Sequence, residues 1–125
     1  MTEKLTFTLF HDPARGTLTL PRAALRLSRL SGARRLKLLA CPGGLLLLRD
    51  VPTVREAVAL LRLLSDRSVS LLLRLSFASH GAEEVPAWVD RLQGQEAQFL
   101  ALLEHSGVDL EGLQGLLRQE GEEDG

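Results

Sequence analysis

The architecture of the N-terminal part is set by residues 15–49, which read RGTLTLPRAALRLSRLSGARRLKLLACPGGLLLLR. Polar and apolar residues alternate over 17–20, the pattern of a half-buried strand. Pro21 follows at once and favours the first turn of a helix, where its missing N–H removes no hydrogen bond. Two further strands are predicted at 36–38 and 45–48, because a Pro-Gly-Gly turn separates these apolar runs. The segment therefore predicts a strand, a short helix and a β-hairpin, in that order.

One more strand is predicted before this segment. Leu5, Phe7 and Leu9 alternate with threonines, which is again the pattern of a half-buried strand. A turn containing Pro13 and Gly16 separates it from the strand that follows. The four predicted strands are short, and the last is apolar on both faces. About 50 residues cannot bury that apolar surface alone, so the pattern predicts an obligate dimer.

The same residues resemble the AbrB (SpoVT/AbrB) swapped-hairpin family. The resemblance covers residues 1–50 and rests on the Thr-Leu-Pro strand end at Pro21, the short arginine-bearing helix and the glycine turn of the hairpin. It implies an α+β protein whose N-terminal domain is a swapped-hairpin β-barrel made by two intertwined chains. It also implies that the protein binds double-stranded DNA as a transcriptional regulator.

The resemblance further implies DNA contacts from a basic face of the barrel. Arg15, at the entry to the Thr-Leu-Pro strand, and Arg22, just after that strand, match basic positions of the family. Three more candidates are suggested by local charge alone: Arg26, Arg34 and Arg35. Arginine suits this work because its planar fork pairs bidentately with phosphate or guanine. The other interpretation of each arginine is a solvated surface charge.

Charge is divided unevenly along the chain. Residues 1–50 carry nine basic and three acidic side chains, whereas residues 51–125 carry six basic and thirteen acidic ones. The net charge of the whole chain is −1. A basic half is a candidate for binding a polyanion. The alternative is that both halves are solvated surfaces of one domain.

The composition excludes several classes of protein. A single cysteine, Cys41, excludes an intramolecular disulfide framework and a multi-cysteine zinc site, and it favours a reducing compartment. No apolar run reaches the length of a transmembrane helix, and the N-terminus lacks the apolar core of a signal peptide. We therefore expect a cytoplasmic protein with no membrane partner.

The second part of the chain is predicted to begin after Asp50 and to be α-rich over 51–119. Thr53 and Glu56 have the spacing of a capping box, in which each side chain bonds the backbone N–H of the other. An apolar stripe then continues at helical spacing as far as Leu64. The sequence therefore predicts a helix that starts directly after the domain boundary.

Further elements are predicted downstream. Alternating residues over 69–77 predict one strand, with a buried helix as the alternative. A long helix is predicted over 88–103, ending near Ser106-Gly107, and Asp109 is placed to cap a last short helix. The acidic tail over 120–125 is predicted to be disordered.

Patterns for catalysis and metal binding are weak. His11 lies beside Asp12 in a turn, where sequence neighbours rarely form a catalytic dyad. His80 and His105 have no carboxylate or second histidine at metal-ligand spacing. Gly43-Gly44 lacks the lysine and hydroxyl residue of a phosphate-binding loop. We therefore predict no catalytic residue, no metal, no cofactor and no enzyme activity.

Three functions from different classes fit these observations. The first is a DNA-binding regulator, a homodimer or higher homo-oligomer in which residues 51–119 form an effector or partner-binding module. The second is a non-catalytic interaction or assembly protein, antitoxin-like in its narrower form, that retains the dimer without binding DNA. The third is a small-molecule-binding domain in which helices pack against 69–77 around a pocket. Salt dependence separates the first two, because phosphate binding weakens steeply with salt.

Overall fold

A computed structural model describes residues 6–124. The chain divides into two compact units, Met1–Pro52 and Thr53–Gly125, which we call the N-terminal unit and the C-terminal unit. This division falls two residues after Asp50, where the sequence predicts a boundary. Over the described residues the secondary structure is mostly helical, with a single pair of strands.

The N-terminal unit contains a short helix and a β-hairpin. The helix α1 spans Arg22–Leu27, and Pro21 precedes it in an extended conformation. The hairpin consists of β1 (Leu36–Cys41) paired antiparallel with β2 (Gly44–Arg49). Gly43 in the connecting turn has a φ of 90°, a left-handed conformation that glycine adopts without strain. The short helix and the hairpin predicted from the sequence are confirmed.

The hairpin is apolar on both faces. Residues opposite each other on the ladder share a face, so Leu38 and Leu47 lie on one side and Leu39 and Leu46 on the other. Neither side is covered, since Leu38 is 59% exposed and Leu39 is 48% exposed. No residue of the segment 6–52 is buried. The described part of the N-terminal unit therefore has no hydrophobic core of its own.

The predicted swapped-hairpin barrel is wrong. Over the described residues the sheet has two strands, β1 and β2, where the barrel required four from each chain. Residues 6–20 contain a turn and a bend at 13–16 but no strand. Alternation produces a strand only where a neighbouring strand completes the hydrogen-bond ladder, and residues 17–20 have no such neighbour. Leu5, the first residue of the first predicted strand, lies outside the described residues.

The C-terminal unit is built on one long helix, α2 (Val54–Ser79). The predicted capping box is confirmed: Thr53 Oγ1 accepts from the Glu56 N–H at 3.1 Å, and the Glu56 carboxylate accepts from the Thr53 N–H at 3.0 Å. The strand predicted over 69–77 is wrong, because α2 continues through it. Residues 65–68 contain no proline or glycine, and extending an existing helix requires no new nucleation.

Three further helices follow α2: a 3₁₀ helix (Ala87–Arg91), α3 (Glu96–His105) and α4 (Leu110–Asp124). The continuous helix predicted over 88–103 is therefore interrupted. Gly94 lies in the interruption, where its N–H donates to the Asp66 carboxylate at 2.7 Å. The helix α4 reaches Asp124, into the segment for which the sequence favours disorder. No helix within residues 6–124 is long and apolar enough to cross a membrane.

The core of the C-terminal unit is small. Its buried apolar side chains, within the described residues, are those of Val89, Phe99 and Leu103. Ser70 on α2 is 1% exposed, and its hydroxyl donates to the Val89 carbonyl oxygen at 2.8 Å. A buried hydroxyl needs such a partner. The helix α2 and the 3₁₀ helix are thus joined by a buried hydrogen bond, and α3, which packs against α4, contributes the buried Phe99 and Leu103.

Candidate nucleic-acid interface

Two of the five candidate arginines lie on α1. Arg22 and Arg26 are four residues apart, so they occupy the same face of the helix. Both are exposed. Arg26 is in the last turn, where a cation interacts favourably with the helix dipole. The helix therefore presents two neighbouring cations to solvent.

The end of α1 is a Schellman motif. The N–H of Leu30 donates to the carbonyl oxygen of Leu25 at 2.9 Å, and the N–H of Arg29 donates to that of Arg26 at 3.0 Å. Arg29 occupies the left-handed position of the motif, with a φ of 62°. Among the described residues it is the one non-glycine residue with a positive φ.

Two other helices end in the same motif with glycine at the left-handed position. Gly81 follows α2 and Gly107 follows α3, with φ values of 83° and 93°. Each helix closes with the same two backbone hydrogen bonds as α1. A residue with a Cβ at this position costs about 1–2 kcal/mol relative to a right-handed conformation. At the end of α1 the chain therefore has a cation at the position where α2 and α3 are followed by glycine.

The end of α1 is tied to the hairpin. The Arg49 guanidinium on β2 donates to the carbonyl oxygen of Arg29 at 2.6 Å. This hydrogen bond joins residues 20 positions apart in the sequence. On the same hairpin, Lys37 Nζ lies 3.8 Å from the Asp50 carboxylate. The hydrogen bond from Arg49 to the Arg29 carbonyl oxygen holds the end of α1 against β2 within the N-terminal unit.

The other three candidates lie outside regular secondary structure. Arg34 and Arg35 are exposed in the segment that joins α1 to β1. Arg15 is exposed in a turn where the Asp12 carboxylate accepts from the Ala14 N–H at 3.0 Å. The Nε of Arg15 lies 3.9 Å from the same carboxylate. The structure therefore brings the two arginines of α1 onto one face and gives Arg15 an acidic neighbour.

Carboxylates are scarce in the N-terminal unit. Residues 6–52 contain eight basic and two acidic side chains. Both acids already have cationic neighbours, Arg15 beside Asp12 and Lys37 beside Asp50. Within the described residues, no carboxylate lies at ion-pair distance from four of the five candidate arginines, which we call the unpaired arginines: Arg22, Arg26, Arg34 and Arg35. The exposed Arg29 likewise has no carboxylate partner there.

Two arginines of the C-terminal unit are paired instead. Arg62 on α2 donates twice to the Glu96 carboxylate on α3 and lies over the Phe99 ring, 4.5 Å from its centre. Arg74 donates twice to the Asp90 carboxylate on the 3₁₀ helix. The hydrogen bond from Arg62 lowers the pKa of Glu96, and the one from Arg74 lowers the pKa of Asp90. These cations hold neighbouring elements against α2.

The groups considered for catalysis do not converge. Among the side chains that the structure describes, no three from histidine, cysteine, aspartate or glutamate are placed to hold a metal ion. Cys41 is exposed at the end of β1. His80 Nδ1 lies 2.8 Å from the Ser76 carbonyl oxygen at the end of α2. A shallow apolar groove at the start of α4 is lined by Val108, Asp109, Gly112, Leu113 and Leu116, without the several convergent polar groups of a small-molecule site.

Sequence reasoning missed the left-handed Arg29. Glycine is the usual residue at that position of a Schellman motif, so an arginine there carries no sequence signal.

In comparisons with known proteins, the chain matches no family model, no curated protein and no solved structure. Its function must therefore follow from its own residues.

Proposed function

We propose that the protein is a non-catalytic DNA-binding regulator that contacts duplex phosphates through the arginines of its N-terminal unit. The observation that carries the proposal is the set of four unpaired arginines on α1 and in the segment before β1. Arginine side chains supply a large part of protein contacts to the DNA backbone. The proposed phosphate contacts depend on the short helix and the hairpin and require no barrel.

The backbone conformation of Arg29 supports the same function. Strained residues persist where the surrounding structure holds them, and they concentrate at functional sites. Glycine at this position would relieve the strain, yet the residue there is an arginine, three positions after Arg26 at the end of α1. A phosphate-binding role accounts for a cation at this strained position.

A cytoplasmic location belongs to this proposal. Cys41 is exposed and free, and a free thiol persists in a reducing compartment. A regulator that binds duplex DNA works in the same compartment as its DNA.

The mechanism is neutralisation of phosphate charge with release of counterions. Each phosphate contact lowers the slope of log affinity against log salt by about 0.9 on duplex DNA. Contacts from the four unpaired arginines and Arg29 of one chain predict a slope of about −4.5. Affinity should then fall on the order of 500-fold between about 50 and 200 mM salt.

The experiment is fluorescence anisotropy of a mixed-sequence duplex titrated with the full chain. We compare the double variant Arg22→Gln/Arg26→Gln with the control Arg91→Gln/Arg118→Gln, which removes the same charge from the acidic C-terminal unit. Glutamine keeps nearly the helix propensity of arginine. The first variant should lose about tenfold or more in affinity, because two phosphate contacts are removed. Equal loss in both variants would contradict the proposal.

The second candidate is an interaction or assembly protein that does not bind DNA. The observation that favours it is the apolar surface of the hairpin, where Leu38 and Leu45 are about three-fifths exposed. A protein interface lacks the steep salt dependence of phosphate binding. A folded protein that fails to bind duplex at low salt would favour this second function.

A further inference from the structure

The helix α2 carries a second apolar face that is largely exposed in the C-terminal unit. The N-terminal end of α2 lies beside α4, where the Glu120 carboxylate accepts from the Val54 and Arg55 N–H groups. The leucines Leu71 and Leu75 of the second apolar face are 53% and 67% exposed. We call this face the seam and define it by seven residues at alternating spacings of four and three: Ala57, Leu61, Leu64, Ser68, Leu71, Leu75 and Ala78. The spacing is that of the a and d positions of a coiled coil, kept over three heptads.

The seam lies away from the face that α2 uses inside its own unit. The inner face is marked by Arg62, Asp66, Ser70 and Arg74, which bond to Glu96 on α3, to the Gly94 N–H and to the 3₁₀ helix. At 3.6 residues per turn, the centre of the seam is about 150° around the helix from the centre of this inner face. Ala57, nearest to α4, is half-buried, and the other six seam residues are exposed, so most of the seam is open to another helix.

The order of residue types along the seam is the same when it is read from either end. Read from either end it is Ala, Leu, Leu, Ser, Leu, Leu, Ala, with Ser68 at the centre. A two-fold axis that crosses a helix near its middle places its two halves against each other, and such an interface uses one patch on both chains. A palindromic seam therefore fits a second copy of the same helix running antiparallel.

The chemistry of the seam permits its burial. None of the seven side chains is charged, so pairing two copies buries no ion. The single polar group is the hydroxyl of Ser68, and it donates to the Leu64 carbonyl oxygen of its own helix at 2.8 Å. A hydroxyl with an internal partner avoids the cost of an unsatisfied buried polar group.

The accessible surface area of the chain is larger than that of compact domains of the same lengths, which is consistent with a partner that covers part of it. The accessible surface is 10412 Å². Two separate compact domains of the lengths of the two units would expose about 8,000 Å² together, so roughly 2,500 Å² is in excess. Obligate homodimers bury about 1,000 to 2,500 Å² per chain. The excess is large enough for a homodimer interface, and it is shared between the exposed leucines of α2 and the uncovered hairpin of the N-terminal unit.

We infer that α2 packs antiparallel against α2 of a second copy through the seam, with the two-fold axis crossing near Ser68. The seam leucines of the two copies then cover one another. This interface is made by the C-terminal unit, and it is independent of whether the N-terminal unit binds DNA.

Oligomeric state is the first test, measured by sedimentation equilibrium on the full chain. Leu71→Gln/Leu75→Gln should convert a dimer into a folded monomer, because these side chains are exposed in the single chain and support no core. The matched control is Leu38→Gln/Leu45→Gln on the hairpin, which should remain dimeric. A monomeric wild-type protein, or dissociation by the hairpin variant alone, would overturn the inference.

Cysteine cross-linking then fixes the orientation, in a Cys41→Ser background. Ser68→Cys should oxidise to a disulfide-linked dimer, because its position lies near the two-fold axis. Ala57→Cys and Ala78→Cys should not link alone but should link when the two variants are mixed. Self-linking of Ala57→Cys and of Ala78→Cys would show a parallel pair and overturn the antiparallel arrangement.

Discussion

The two units of this chain use arginine in opposite ways. In the C-terminal unit, Arg62 and Arg74 each donate twice to a carboxylate and hold neighbouring helices against α2. In the N-terminal unit, the four unpaired arginines have no carboxylate at ion-pair distance within the described residues. A cation with an internal partner contributes to the fold, whereas a cation left in solvent is available to a polyanion. The comparison locates the fold-supporting charges in one unit and the candidate binding charges in the other.

The two units also differ in how many of their residues are buried. The C-terminal unit has Val89, Phe99 and Leu103 buried around Ser70, but no residue of 6–52 is buried. Truncating a buried side chain in the C-terminal unit should therefore lower stability strongly, whereas truncating a side chain in the N-terminal unit should lower it little.

The largest effect is expected for Phe99→Ala. The change removes a buried ring and the contact with the Arg62 guanidinium, so the free energy of unfolding should fall by about 3–5 kcal/mol. Urea unfolding followed by the fluorescence of Trp88, the single tryptophan, measures this in the C-terminal unit. Leu102→Ala is the control on the same helix, half exposed, and should change stability much less. Similar losses in the two variants would contradict a core at Phe99.

Ser70→Ala should have the next largest effect. It leaves the buried carbonyl oxygen of Val89 without its donor, which costs about 1–3 kcal/mol. The control is Ser79→Ala, since the Ser79 hydroxyl donates to the Ser76 carbonyl oxygen at 2.8 Å in an exposed position. Surface changes of this kind stay within about 0.5 kcal/mol. Thermal unfolding followed by circular dichroism separates the two variants.

Arg29→Gly should stabilise the N-terminal unit and weaken DNA binding together. Glycine removes a left-handed strain of about 1 kcal/mol, and it also removes a cation from the end of α1. The inverse change, Gly107→Ala in the equivalent position after α3, should destabilise the C-terminal unit by a similar amount. Hydrogen exchange of amides in each unit measures both effects. If Arg29→Gly left DNA affinity unchanged, the functional explanation of the strain would fail.

The smallest effect is expected from acidification. Arg62 and Arg74 lower the pKa values of Glu96 and Asp90 in the folded state. The stabilisation is therefore fully present above the unfolded pKa values and is lost as the pH falls below about 4. The double variant Glu96→Gln/Asp90→Asn should show a flatter dependence of unfolding midpoint on pH than the wild type. Parallel pH profiles of the two proteins would contradict the role of these pairs.

The sequence predicted the features that depend on local chemistry. Pro21 marked the start of α1, the Pro-Gly-Gly turn marked the hairpin, and Thr53 with Glu56 marked the start of α2. These signals involve residues only a few positions apart, so they need no knowledge of the rest of the fold.

The errors arose where local patterns have two explanations. The segment 69–77 alternates as a strand does, but its leucines also fit the heptad spacing of α2, and the helix already running from Val54 decides between them. The alternation at 17–20 needed a neighbouring strand that is absent over the described residues. The paired arginines of the C-terminal unit depend on contacts across more than ten residues, such as Arg62 with Glu96, which spacing alone does not encode.

The most direct test of the central contrast is the salt dependence of duplex binding by the full chain. We predict a slope of log affinity against log salt of about −4.5 or steeper. The slope should become shallower by about 0.9 for each unpaired arginine replaced by glutamine, and it should not change for Arg91→Gln/Arg118→Gln. A flat salt profile, or equal changes in both sets of variants, would contradict the assignment of binding charges to the N-terminal unit.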